Sequence, residues 1–120
     1  MDIVSTENYY VTLDNDSLCS CDYCRNFCKE VQGAYPELSD YLAGLGVDIR
    51  KPFETMPLKP HEGTIEYVSA QYVVMGNAAD FTGEDVHGVH VGIADLHPMT
   101  GIGEEHCVIE VSPIKLKWTV

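Results

Sequence analysis

Four cysteines lie within ten residues near the start of the chain, and thiols at this density can bind a metal ion or exchange disulfides. They are Cys19, Cys21, Cys24 and Cys28. Thiolates are soft ligands, suited to zinc and to iron–sulfur clusters, and the C-x-x-C spacing of Cys21 and Cys24 lets both sulfurs reach one ion. Cys28 follows Cys24 by about one helical turn, so a third sulfur can face the same point. The cluster therefore predicts a metal site at Cys19, Cys21, Cys24 and Cys28, with zinc as the ion it would take.

Two other interpretations of this segment stay open. Cys21 and Cys24 have the spacing of a redox dithiol at a helix N-terminus, where the helix dipole lowers a thiol pKa. The rest of the chain, however, lacks the alternating strand and helix pattern of the thioredoxin fold. Alternatively, Cys24 and Cys28 are core positions, since free cysteine packs as a small hydrophobic residue. The H-x-x-H pair that could complete a zinc knuckle is His87 and His90, which we expect on opposite faces of a strand.

A second set of ligand-type side chains lies between residues 80 and 106. It consists of Asp80, Glu84, Asp85, His87, His90, Asp95, His97, Glu104, Glu105 and His106. Carboxylates and imidazoles suit a divalent metal or acid–base chemistry. These residues do not have a catalytic spacing such as H-E-x-x-H, and the chain lacks the Walker lysine and G-x-S-x-G motifs. The sequence thus favours a non-catalytic protein and predicts no catalytic residue.

The charge is strongly negative and unevenly distributed. Nineteen Asp and Glu against seven Lys and Arg give −12, and neither Lys nor Arg occurs between Lys59 and Lys115. Such a surface repels phosphate backbones and anionic lipid, so direct binding to nucleic acid or to a membrane is not expected. A basic protein is the expected partner, and a homodimer is compatible with the sequence. The expected interaction residues are Asp80, Glu84, Asp85, Glu104 and Glu105.

Other features predict a cytoplasmic protein. The first residues lack the basic and apolar regions of a signal peptide, and no apolar stretch approaches the roughly 20 residues of a membrane span. The five cysteines are odd in number and four of them crowd into one segment. A disulfide framework would instead spread its cysteines along the chain. We therefore expect reduced thiols.

Two helices are predicted to carry and support the cysteine segment. The first runs from about residue 22 to residue 32, with Ser20 or Asp22 as its cap and Gly33 at its end. Its apolar stripe is Cys24, Phe27, Cys28 and Val31. The second begins at Pro36 and ends at Gly46. Its apolar stripe is Leu38, Tyr41, Leu42 and Leu45. Both stripes have the i, i+3, i+4, i+7 spacing of an amphipathic helix.

Strands are predicted on both sides of these helices. An aromatic and β-branched run at Tyr9–Leu13 predicts a strand that turns at residues 14–16. The later predictions are an edge strand or arm at Phe53–Leu58, a strand at Ile65–Met75, a loop at Gly76–Asp85, a strand at His87–Ile93, a loop at His97–Gly103, and a last strand from Cys107 to Trp118 with a bend at Pro113. Early helices and late strands predict a single α+β domain. We expect a mostly antiparallel sheet of four to five strands with an N-terminal helical pair packed on one face.

The segment Cys21–Phe27 (CDYCRNF) resembles a group of small uncharacterised bacterial proteins that have a C-x-Y-C-R-N-F segment near the N-terminus. The resemblance continues in a turn at Gly46–Lys51 followed by the acid Glu54, an aromatic central strand and a last strand ending near Trp118. It implies a bacterial cytoplasmic origin and no particular activity. Against that two-cysteine pattern, Cys19, Cys28 and Cys107 are additions. The positions that it marks for testing are Cys21, Cys24, Arg25 and Asn26.

The leading hypothesis from the sequence is a non-catalytic, acidic protein-interaction module of the immunity or inhibitor type. It depends on the stretch without Lys or Arg and on the lack of an assembled catalytic motif. One rival is a metal-binding protein or small metalloenzyme that uses the Cys19–Cys28 cluster or the histidines. The other is a thiol redox protein that uses Cys21 and Cys24. The interaction module needs no cofactor, whereas the first rival implies zinc.

Overall fold

The computed structural model describes residues 1–13 and 19–120, so the turn expected at residues 14–16 lies outside the described residues. Within the described residues, three helices precede an antiparallel sheet of six strands, which confirms the α+β class. The helices are α1 (Ile3–Thr12), α2 (Asp22–Ala34) and α3 (Pro36–Ala43). The strands are β1 (Glu54–Pro57), β2 (Thr64–Met75), β3 (Glu84–Val86), β4 (Val89–Ile93), β5 (His106–Ser112) and β6 (Ile114–Lys117). The order in the sheet is β1-β2-β5-β4-β3, and β6 also pairs with β2.

Helix α1 replaces the strand that we predicted at Tyr9–Leu13, and that prediction was wrong. The Asp2 carboxylate caps the helix by accepting hydrogen bonds from the Ser5 backbone N–H at 3.0 Å and from the Ser5 hydroxyl at 2.8 Å. An Asp at the N-cap satisfies N–H groups that the first turn leaves without partners. The aromatic and β-branched residues that suggested a strand express only a weak preference, which local capping and tertiary contacts override.

Hydrogen bonds hold α1 against the end of β2. The buried Tyr10 hydroxyl donates to the Val73 carbonyl at 2.7 Å, and the Met75 N–H donates to the Thr6 hydroxyl at 3.0 Å. These bonds satisfy strand groups that would otherwise be buried without partners. Helix α1 therefore lies on the same face of the sheet as the expected helical pair, α2 and α3.

Helices α2 and α3 form where the periodicity predicts them, with differences at the ends. The cap of α2 is neither Ser20 nor Asp22, because Cys21 takes the N-cap position and makes no side-chain capping hydrogen bond. The helix also continues through Gly33 to Ala34. Only half of the predicted apolar stripe is fully buried, as described below for the cysteines.

The long strand β2 lies at the centre of the sheet, and the alternation of its helix-facing residues shifts by one position midway. Ile65 and Tyr67 face the helices in its first half, and Ala70, Tyr72 and Val74 face them in its second half. Two residues, Val68 and Ser69, therefore separate the last helix-facing residue of one half from the first of the other, where simple alternation would leave one. The same shift occurs in the neighbouring strands β5 and β6, which pair with the two halves of β2. Val111 pairs with Ala70, and Ile114 pairs with Tyr67.

The expected bend at Pro113 is the point where β5 gives way to β6. Two details differ around the neighbouring strands. His87 lies in a turn with a φ of 47°, so the strand predicted at His87–Ile93 begins only at Val89. The loop predicted at Gly76–Asp85 contains a 3₁₀ turn at Ala78–Asp80 and the start of β3. The expected edge strand at Phe53–Leu58 is β1.

Gly46 lets the segment after α3 approach α1 closely. It has a φ of +87°, and a Cβ placed on it would lie 2.6 Å from the Ile3 carbonyl oxygen. Residues other than glycine rarely adopt this left-handed conformation. Gly33, in contrast, lies in α2 with open space around it.

We expect Gly46→Ala and Gly33→Ala to change stability in opposite directions. Gly46→Ala should lower the free energy of unfolding by more than about 1 kcal/mol, because it adds both backbone strain and a steric clash. Gly33→Ala should raise it by about 0.5 kcal/mol through helix propensity. Urea denaturation followed by circular dichroism measures both, and a stabilising Gly46→Ala would contradict the described packing of α1.

Candidate functional site

Three cysteine sulfurs converge where the chain enters α2. The Sγ atoms of Cys19, Cys21 and Cys24 lie within 4.8 Å of one another, and those of Cys19 and Cys21 are 3.3 Å apart. The first two residues are exposed and Cys24 is half-buried. In a tetrahedral zinc site with Zn–S bonds of about 2.3 Å, the sulfurs are about 3.8 Å apart. Small side-chain adjustments therefore suffice to bring these three sulfurs to one ion.

The backbone at the start of α2 explains this convergence. Cys21, at the N-cap, has the extended conformation (φ −67°, ψ 163°) that turns the chain into the helix. Side chains of the first turn lean towards the helix N-terminus, so Cys24 points back to Cys21. On its other side, the Cys24 sulfur lies 3.9 Å from the Thr55 hydroxyl of β1. The cluster thus lies between the helix start and an edge strand.

Contacts with the sheet and with the C-terminal segment hold the N-terminal half of α2 in place. Phe27 is fully buried, and its ring meets that of Tyr67 edge-on at 5.0 Å. The buried Asn26 side chain donates to the Lys117 carbonyl at 2.8 Å and accepts from the Thr119 N–H at 2.8 Å. These contacts fix the turn that carries Cys24 without using any of the clustered sulfurs.

The thiols of Cys19 and Cys24 differ in how readily they ionise. Hydrogen bonds from the Cys21 backbone, and then from the thiols of Cys21 and Cys24, lower the pKa of Cys19 below its usual value. Partial burial, followed by the hydrogen bonds with Cys19 and Cys21, raises the pKa of Cys24. The exposed Cys19 therefore forms a thiolate more readily than Cys24. A bound cation would deprotonate the others.

Cys28 lies outside this group of three, although the sequence placed it in the metal site. Its thiol donates to the Arg50 carbonyl at 2.9 Å, and partial burial raises its pKa. The core interpretation of Cys24 and Cys28 is also only half right. Both are half-buried at the margin of the core, whereas Phe27 and Val31 of the same stripe are fully buried.

The histidines and acids of residues 80–106 do not assemble into a second site. Among residues 1–13 and 19–120, the cysteine trio is the one group of three or more ligand-type side chains close enough to share an ion. His90 pairs with Asp85 at 3.1 Å. The His106 ring lies 2.7 Å from the Thr100 hydroxyl and 2.8 Å from the Glu104 carbonyl oxygen. These contacts stabilise strand ends and loops.

The five acids expected to bind a partner lie at three separate places. Glu84 and Asp85 lie on β3, where Glu84 faces the Tyr41 hydroxyl and helps to raise its pKa, after the larger effect of burial. Asp80 lies 3.7 Å from the nitrogen of Met1. Glu104 and Glu105 line a groove of about 720 Å³ together with Asp2, Ser5, Asn8, Tyr9, Thr12, Met75, Gly76, Gly101, Ile102 and Gly103. Glu104 and Glu105 are thus the two of these five acids that line the groove.

Sequence reasoning missed a cluster of cations beside the cysteines. Arg25, Lys29, Arg50 and Lys51 all line one cleft with Cys19 and Cys28. The i, i+4 spacing of Arg25 and Lys29 was a usable signal, since residues so spaced share one face of a helix. Their meeting with Arg50 and Lys51 depends on the tertiary fold.

The described part of the chain contains no helix with the length and apolar character of a membrane span.

We expect the five thiols to react in the order of their exposure. Cys19 and Cys21 should alkylate first, Cys24 and Cys28 more slowly, and the buried Cys107 last, because reagent access falls in that order. Burial also raises the pKa values of Cys24, Cys28 and Cys107. Pulse alkylation of metal-free protein, read by tandem mass spectrometry, measures this. Trypsin cuts after Arg25 and Lys29, which isolates Cys28 in a short peptide. Labelling of Cys28 ahead of Cys19 would contradict the described orientation of α2.

Comparison with protein-family models, curated proteins and solved structures found no match. The resemblance of Cys21–Phe27 to small bacterial proteins therefore stays a prediction. What the chain does has to be argued from its own residues and their geometry.

Proposed function

We propose that this chain binds a zinc ion through the thiolates of Cys19, Cys21 and Cys24. The observation that supports this is the convergence of three sulfurs within 4.8 Å, on a backbone anchored by contacts that involve none of them. Thiolates favour zinc over hard cations such as Mg²⁺ and Ca²⁺. The proposal adopts three of the four cysteines that the sequence singled out and omits Cys28.

The composition of the site favours reversible binding over a purely structural role. Structural zinc sites are usually closed by four protein ligands, whereas three protein ligands leave one position to water or to an added ligand. Here Cys19 and Cys21 are exposed. The core of the domain is also formed without the cluster, through residues such as Phe27, Tyr67 and Tyr72, which are fully buried. We therefore expect the metal-free protein to fold.

A thiol redox role for Cys21 and Cys24 has less support from the geometry. The sulfurs 3.3 Å apart belong to Cys19 and Cys21. Partial burial raises the pKa of Cys24, which lowers the thiolate fraction that disulfide exchange requires. The redox hypothesis stays a prediction without an observation that favours it over zinc.

Zinc titration of reduced, metal-free protein tests the proposal. In competition with a chromophoric chelator, we expect one zinc per chain, and a melting temperature that rises with zinc concentration. Cys21→Ser and Cys24→Ser should each weaken binding by roughly 100-fold or more. Loss of an outer hydrogen-bond partner already costs about 10- to 100-fold, and a lost ligand should cost at least as much.

Cys28→Ser is the matched control, because serine can keep the hydrogen bond to the Arg50 carbonyl while removing a sulfur outside the trio. It should bind zinc as the unchanged protein does. Absence of stoichiometric zinc uptake, or an equal loss in Cys28→Ser and Cys24→Ser, would contradict the three-cysteine site.

A second candidate function is the acidic protein-interaction module, favoured by the groove beside α1. Asp2, Glu104 and Glu105 line this groove, and its lining in the described chain includes neither Lys nor Arg. The net charge of −12 would steer a basic partner towards such a surface. The partner expected here is a Lys- or Arg-rich protein segment.

Binding of a lysine-rich peptide to charge-matched variants tests this candidate. Glu104→Gln/Glu105→Gln removes two charges from the groove, and Glu37→Gln/Glu62→Gln removes two exposed charges elsewhere. If the groove is the site, the first pair should lose clearly more affinity at moderate salt than the second, because surface charges separated by more than a Debye length are screened. Equal losses would mean that the peptide responds only to net charge, against the groove.

A further inference from the structure

The cleft next to the cysteine trio concentrates positive charge in an otherwise acidic protein. The chain has seven Lys and Arg, and four of them line this one cavity of about 780 Å³. They are Arg25, Lys29, Arg50 and Lys51. The lining in the described chain includes no Asp or Glu side chain. In a chain of net charge −12, this distribution is a local reversal of the overall field.

The cations reach the cleft from two separate segments whose positions are fixed. Arg25 and Lys29 are one helical turn apart on α2. Lys51 donates through its Nζ to the Tyr10 and Leu13 carbonyls at 2.8 and 2.7 Å, at the C-terminal end of α1. Its charge therefore complements the negative end of that helix dipole. Arg50 directly precedes Lys51 in the same segment.

The two guanidinium groups are oriented, and each has more N–H donors than its contacts within the described residues use. Arg50 binds both carboxylate oxygens of Asp48, through Nε at 3.1 Å and Nη2 at 3.0 Å. Arg25 contacts Asp22 through Nη1 at 3.1 Å. A guanidinium has five N–H donors, so each arginine can bind a further oxygen without losing its present partner. Orientation before binding reduces the entropy that a ligand must overcome.

The remaining charge indicates the valence of the ligand. Among the described residues, the carboxylates of Asp22 and Asp48 pair with the two arginines. The two lysines pair with no Asp or Glu in that part of the chain, which leaves a surplus of two positive charges there. The start of α2 borders the same cleft through Cys19 and Ser20, and Cys21 at the N-cap makes no side-chain capping hydrogen bond to the first-turn N–H groups. Such N–H groups favour anions.

From these observations we infer that this cleft binds a small organic dianion, of the phosphate monoester class. A cavity of this size fits a small metabolite. A long polyanion such as nucleic acid would extend over the surrounding acidic surface and be repelled. Arginine pairs favour phosphate because their paired N–H donors match its oxygens. The inference does not depend on zinc, although Cys19 borders both features.

Amide chemical-shift mapping on metal-free protein tests this inference. The protein is desalted after chelation, so that no chelator carboxylate competes for the cleft. Glycerol phosphate is the probe, and succinate is the dianion of different shape. We expect glycerol phosphate to shift resonances of Arg25, Lys29, Arg50 and Lys51, and to bind more tightly than succinate. Tighter binding of succinate would overturn the phosphate class, and no shifts in this cleft at millimolar probe would overturn the site.

Two charge-matched double variants complete the experiment. Arg25→Gln/Lys29→Gln removes two exposed cations from the cleft, and Lys59→Gln/Lys117→Gln removes two exposed cations outside it. The first should weaken glycerol phosphate binding by roughly tenfold or more, because charge-assisted hydrogen bonds are the strong ones. The second should change it less than about twofold. Equal weakening in both would show a response to net charge and overturn the inference, and melting temperatures confirm that each variant is folded.

Discussion

The buried side chain of Asn26 is the contact that holds the part of α2 shared by the cysteine trio and the cationic cleft. It lies fully buried beneath α2 and bonds to the backbone at two points, the Lys117 carbonyl and the Thr119 N–H. An amide that both donates and accepts can tie a helix to an extended segment only in one orientation. Because these bonds fix the first turns of α2, the cysteines before Asn26 and the cations beside it share one rigid support. The resemblance marked Asn26 without a role, and the structure assigns it a positioning role.

The elements predicted correctly are those whose pattern is repeated over several residues. The stripes of α2 and α3 and the long apolar run of β2 each supply many consistent positions, so tertiary context does not overturn them. The prediction for the α1 segment was wrong because the features that decide its structure are single contacts. These are the Asp2 cap and the hydrogen bond from the Tyr10 hydroxyl to Val73. The cap was readable in the sequence. The partner in β2, distant in sequence, was not.

The candidate site shows the same division. The spacing of Cys21 and Cys24 predicts that their sulfurs meet, since helix geometry alone brings the first turn back towards the N-cap. The sulfur of Cys19 lies beside that of Cys21, whereas the thiol of Cys28 donates its hydrogen bond to the Arg50 carbonyl instead. Neither fact follows from spacing. The cationic cleft was missed for a similar reason, because counting charge along the chain averages over segments that the fold brings together.

The change of buried face in β2 couples the lengths of two distant segments. The segment between Tyr67 and Ala70 has one residue more than simple alternation allows, and so has the segment between Val111 and Ile114. These two irregularities lie opposite one another in the sheet. Deleting one residue from either side alone would turn the helix-facing side chains of one half of that strand to the opposite face of the sheet. Single insertions and deletions here are therefore tolerable only in compensated pairs. In diverging relatives of this chain, the spacing of these two segments should vary together or not at all.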